Sequence, residues 1–178
     1  MQILAISGSL RAASSNSRVI CALREVAEWN VEVLIYEGLD KLPHFNPDLD
    51  GDEPPQEVAR LRQLVGTASA LVIASPEYAH GIPGVLKNAL DWLVASSEFL
   101  DMPIALINTS PRATHAQAQL IEVLTTMAGH VQPQASVTLD RLGELGTIDP
   151  AEDPESARML RSVLIELARV CREESVGR

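Results

Sequence analysis

Three short stretches hold most of the side chains that could bind a ligand or do chemistry: GSLRAASSNS (8–17), SPEYAHGIPG (75–84) and NTSPRATH (108–115). The first gathers Ser9, Ser14, Ser15, Asn16 and Ser17 around Arg11, just before residues spaced as a helix. Hydroxyl and amide donors beside the free amides of a first helical turn suit an anion. A guanidinium adds a full charge and a forked set of donors. The fingerprint GxGxxG, whose glycines let the backbone approach a pyrophosphate, is absent. The composition therefore points to a single terminal phosphate. Residues 14–17 also have the composition of a helix cap, but capping accounts for one or two of them and leaves Arg11 unexplained.

In the second stretch Pro76 and Pro83 restrict the backbone, and Gly81 and Gly84 are expected to allow positive φ or the close approach of a ligand. A rigid turn of this kind suits a flat heterocycle. Glu77, Tyr78 and His80 suggest acid–base work, yet no GxSxG elbow or other nucleophile with a matching base accompanies them. His44, His115 and His130 are scattered without metal-ligand spacing, and each histidine reads as a surface or loop residue. Neither a catalytic side chain nor a metal site is expected.

These stretches must be positioned by the elements around them. Apolar runs at 3–6, 31–36, 68–75, 102–110 and 134–139 read as five strands. Helical spacing links Val19, Ile20, Leu23, Val26 and Ala27; Val58, Leu61, Leu64 and Val65; Val85, Leu86, Ala89, Leu90 and Leu93; and Ala116, Leu120, Val123, Leu124 and Met127. Leu160, Val163, Leu164, Leu167, Ala168 and Cys171 mark a last helix. The Pro-, Gly- and Asp-rich segment 38–55 reads as a long loop, a frequent seat of function. Apolar strands alternating with amphipathic helices imply a parallel sheet covered on both faces, in the flavodoxin-like order 2-1-3-4-5. Such sheets bind ligands beyond the carboxyl ends of their strands, which is where the three stretches fall.

A chain of 178 residues suits one domain spanning 1–178. A net charge of −10 disfavours nucleic acid and anionic membrane surfaces as partners. Cys21 and Cys171 form no CxxC pair and read as buried thiols in a reducing compartment. MQILAIS reads as a strand and not as a signal peptide, and no apolar run reaches membrane-spanning length; the expected location is the cytoplasm.

GSLR with Ser14 and Asn16, PEY at 76–78 and GIPGVLKNALDWL at 81–93 together resemble the NADPH-dependent FMN reductase family, a flavodoxin-like group that includes quinone and chromate reductases. The resemblance is dense up to Leu93 and beyond it is mostly one of element order. It implies FMN as cofactor, with its phosphate held by Ser9, Arg11, Ser14, Ser15, Asn16 and Ser17. Pro76, Glu77, Tyr78, Gly81 and Ile82 would lie along the isoalloxazine ring. NADPH or NADH would reduce the flavin, and a quinone, free flavin or similar small acceptor would reoxidise it; hydride transfer is the cofactor's chemistry and needs no side-chain catalyst.

Two departures stand out. Ala79 replaces the asparagine common in PEYN, and the third stretch lacks the family's glycines, leaving Ser110, Thr109 or Arg112 to face the flavin's pyrimidine edge. Relatives are dimers or tetramers, and Trp92 is the expected contributor to a subunit boundary. The alternatives are a flavodoxin-type electron carrier and a flavin-free interaction domain on the same fold.

Overall fold

The computed structural model describes residues 1–11 and 13–176, so Ala12 of the first stretch lies outside the described residues. A parallel sheet is built from β1 (Gln2–Ser7), β2 (Glu32–Tyr36), β3 (Ala70–Ala74) and β4 (Pro103–Asn108), with the fifth position shared by β5 (His130–Val131) and β6 (Val137–Thr138). The order is β2-β1-β3-β4-β5, and β6 also pairs with β4. The expected strand at 134–139 is thus two short ones separated by a tight turn at Pro133–Ala135. Proline has no N–H for the ladder. The Ser136 hydroxyl fills the gap by accepting from the Leu106 amide at 3.0 Å.

Each core strand is apolar through its middle because both faces are covered there. On one face lie α1 (Ser15–Glu25) and, after the short α5 (Leu142–Leu145), the long α6 (Pro154–Val176). On the other lie α2 (Gln56–Thr67), α3 (Gly84–Asp91) and α4 (Thr114–Thr126). Helix α1 buries Val19, Ile20 and Leu23, each worth about 1.5–3 kcal/mol against exposure.

The register brings the ends of three strands side by side. Ser7 pairs with Ala74 and Ala74 with Ile107, and the Gly8 amide donates to the Ala74 carbonyl at 2.8 Å. The three chemically rich stretches therefore leave one edge of the sheet as neighbours.

The long loop 38–55 is seated against α2 and α3. Trp92 Nε1 and Asn88 Nδ2 both donate to the Pro43 carbonyl, at 2.8 and 3.0 Å. The Phe45 amide donates to Asn88 Oδ1 at 2.8 Å, and Arg62 pairs with Asp50 at 2.6 Å. Trp92 is 0% exposed within one chain; this corrects its expected place at a subunit boundary. Its ring is used up by the core, by the Pro43 bond and by the edge of Phe45. Cys21 and Cys171 are partly exposed and not buried, and the Cys171 thiol donates to the Ser69 carbonyl at 3.3 Å. Among the described residues no helix is long and apolar enough to cross a membrane.

Candidate functional site

The first stretch closes on itself through hydroxyls. Ser14 is the N-cap of α1, its Oγ accepting from the Ser17 amide at 3.0 Å. That same hydroxyl donates to Ser17 Oγ at 2.8 Å, and Ser17 Oγ lies 3.1 Å from Ser7 Oγ. Ser9 Oγ accepts from the Arg11 amide at 3.3 Å, which curls the loop back over the strand end. Capping and a serine network thus share the same residues. Ser15 is half-buried at the start of α1. Arg11 is exposed, and among the described residues its guanidinium has no hydrogen-bond or ion-pair partner.

The second stretch is a tight two-residue turn. Tyr78 and Gly81 exchange backbone bonds of 2.9 and 3.0 Å, while Ala79 and His80 between them take φ of +49° and +62°. Of the two uses expected of the glycines, positive φ is thereby corrected, since neither Gly81 nor Gly84 has it. Gly81 instead makes room: a Cβ there would stand 3.1 Å from Gln119 Oε1, the oxygen that accepts the Ile82 amide at 2.8 Å. Two non-glycine residues in the left-handed region cost about 1–2 kcal/mol each. Tyr78 is 58% exposed on this turn, and Pro76 is half-buried.

Glu77 points away from the turn. Its Oε2 accepts from the Ala116 amide at 2.8 Å, so it caps α4, whose own N-cap, Ala113, has no side chain able to do so. In the third stretch Asn108 Oδ1 accepts from the Ser110 amide at 3.0 Å and the Ala113 amide closes on the Ser110 carbonyl at 3.0 Å. Thr109 Oγ1 donates to Asn16 Oδ1 at 3.1 Å. Arg112 is exposed and, among the described residues, without a hydrogen-bond or ion-pair partner.

All twelve candidate binding residues lie on or beside these three loops. Among them Asn16, Glu77 and Ile82 tie the loops to one another or to α4, whereas the Arg11 guanidinium and the Tyr78 ring are exposed. Sequence reasoning missed Gln119, which sits one turn beyond α4's start and has no local motif. It also missed the meeting of His80 and His115, whose ring centroids are 4.2 Å apart. Among the described residues no group of three or more His, Cys, Asp or Glu could hold a metal ion.

Comparison with known proteins agrees with this arrangement. The chain superposes on the flavoenzyme NAD(P)H:(acceptor) oxidoreductase FerB from Paracoccus denitrificans, with a TM-score of 0.84, 27% identity and 97% of each chain covered. It is 33% identical over 147 residues to the NADH:(hydroxy)cinnamate reductase subunit CrdA of Vibrio ruber, covering 79% of this chain and 72% of that one. It is 36% identical over 115 residues to a quinone reductase of Escherichia coli, an alignment spanning 62% of this chain and 60% of the relative. Residues 1–143 match the sequence model of the NADPH-dependent FMN reductases. With this match over most of its length, on a parallel sheet in the order β2-β1-β3-β4-β5, the chain belongs to the NADPH-dependent FMN reductase family, whose members work with FMN and NAD(P)H.

Proposed function

We propose that this chain is an FMN-dependent oxidoreductase that oxidises NADPH or NADH and reduces quinones, free flavin or similar small acceptors. The residues present fit FMN. The Arg11 backbone is bonded to the Ser9 and Ser17 hydroxyls just before the first turn of α1, and its exposed guanidinium has no partner among the described residues; together these groups are a donor set for one phosphate. The Tyr78–Gly81 turn offers a ledge for a flat ring, flanked in the chain by Pro76 and Ile82, and Ser110 lies in the stretch that follows the neighbouring strand β4. When bound, FMN supplies the hydride chemistry. The chain's own residues bind it, orient it and keep the three loops in fixed relation.

The observation that carries this reading is an unpartnered Arg11 in a loop held by a serine network, one strand away from a strained, latched turn. A flavodoxin-type carrier calls for aromatic walls on both ring faces, and Tyr78 is the only Trp, Tyr or Phe in the three stretches. The chain acts as one FMN-binding domain over 1–178, in the cytoplasm, as a homodimer or homotetramer. FMN titration followed by protein fluorescence tests the phosphate site. Arg11→Ala is expected to weaken binding by roughly tenfold or more, in line with the loss of a charge-assisted bond. Unchanged FMN affinity contradicts the assignment.

A further inference from the structure

We propose that His80 and His115 together form the acceptor subsite of this enzyme and that they select planar aromatic acceptors bearing an anionic oxygen. The proposal rests on the oxidoreductase reading above and names the substrate class of the same site. The two rings come from different elements, the Tyr78–Gly81 turn and the first turn of α4, and meet at 4.2 Å with a tilt of 43°. Both side chains are exposed, and among the described residues neither ring has a hydrogen-bond or ion-pair partner. Structural histidines spend their ring nitrogens on backbone or carboxylate partners; here those nitrogens remain open to a ligand.

Their mutual position is held from outside the pair. Glu77 binds the Ala116 amide, next to His115 in the chain. Gln119, one helical turn beyond His115, binds the Ile82 amide on the far side of the turn. His80 itself sits at φ +62°, a conformation that costs energy and that the surrounding bonds impose. A ring pair fixed by bonds outside it, with its own nitrogens unspent, is arranged for a ligand.

The chemistry of that ligand follows from the groups nearby. The chain carries a net charge of −10 and repels anions in general. On the turn itself, however, the carboxylate Glu77 is engaged by the Ala116 amide, while the two imidazoles, and Arg112 three residues before His115, have no hydrogen-bond or ion-pair partner among the described residues. Two imidazole faces and the exposed ring of Tyr78 offer flat apolar surface for stacking, so the acceptor that uses every feature is a flat ring with a carboxylate, sulfonate or enolate on its edge.

The test compares a naphthoquinone with the same naphthoquinone bearing a ring sulfonate, using the FMN-loaded enzyme. His80→Asn keeps a residue that tolerates the left-handed turn, and His115→Gln keeps a good helix former. Either variant is expected to raise the ratio of KM for the sulfonate to KM for the parent by about tenfold, the loss of one charge-assisted contact; a ratio that does not move overturns the proposal. Flavin content and the rate at which NAD(P)H bleaches the flavin are recorded without acceptor, so failure of the oxidoreductase reading shows itself separately. In that event, naphthalene sulfonate, which cannot be reduced, is titrated against the imidazole carbon-bound proton resonances. Shifts of both His80 and His115 support the subsite, and unmoved resonances overturn it.

Discussion

The Thr109 hydroxyl donates to the Asn16 side-chain carbonyl at 3.1 Å across 93 residues of chain, joining the loop after β4 to the first turn of α1. Asn16 is only 4% exposed, so this bond lies at the seam between the phosphate-type loop and the third stretch. A side-chain bond thus holds the glycine-free third stretch against α1.

Breaking this seam should weaken folding and flavin binding together. Asn16→Ala and Thr109→Val are each expected to cost about 1–2 kcal/mol, because each leaves a partly buried polar partner unsatisfied. In a double-mutant cycle by urea denaturation the pair should be non-additive by about 0.5–1.5 kcal/mol. Strict additivity contradicts a direct bond.

Glu77 acts as a helix cap supplied from another loop. Glu77→Ala should destabilise the protein by about 1 kcal/mol, as loss of an N-terminal cap does. Hydrogen exchange should quicken at the Ala116 amide in particular. Glu77→Gln, which still accepts the bond, should recover most of the loss, and a glutamine variant as unstable as alanine would place the role elsewhere.

Ala79 stands at φ +49° where most L-residues are strained. Ala79→Asn or Ala79→Gly is expected to raise stability by about 0.5–1 kcal/mol, read as an increase in Tm. A fall in Tm would mean that the methyl group makes a contact that outweighs the strain.

Tyr36 gives the fold an alkaline limit. Its ring is 5% exposed, and its hydroxyl is buried with no hydrogen-bond partner among the described residues. Burial, followed by the nearby Glu57, pushes its pKa from 10.0 up to about 12, with Arg60 pulling the other way. Between those values the unfolded chain has released the proton that the folded chain keeps, so stability is whole below pH 10 and falls as pH rises towards 12. The loss should reach roughly 2–3 kcal/mol. Tyr36→Phe should flatten that part of the stability profile, and an undiminished fall in the variant would assign it to another group.

The sheet order and the three-loop site were legible because apolar runs and helical spacing are local signals, and the rule for open parallel sheets then placed GSLRAASSNS, SPEYAHGIPG and NTSPRATH on one edge. The last strand was misplaced because Pro133 splits it and because two-residue strands carry too few apolar positions to be seen. Gly81 and Gly84 suggest positive φ or the close approach of a ligand, yet positive φ falls on Ala79 and His80, the two central residues of the turn closed by the Tyr78–Gly81 backbone bonds, where composition does not announce it. The Glu77 cap spans 39 residues and the His80–His115 contact joins two elements, so neither has a sequence spacing to detect. Trp92 read as surplus hydrophobic surface because the seating of residues 43–50 on α3 cannot be inferred from a loop's composition.

The most direct test is an anaerobic titration of the FMN-loaded protein with NADPH and then NADH, followed by addition of a quinone. The oxidised-flavin absorption is expected to bleach with reduced nicotinamide alone and to return when the quinone is added. A flavin that binds but stays oxidised until a separate reductase is supplied would contradict the enzyme and leave an electron carrier in its place.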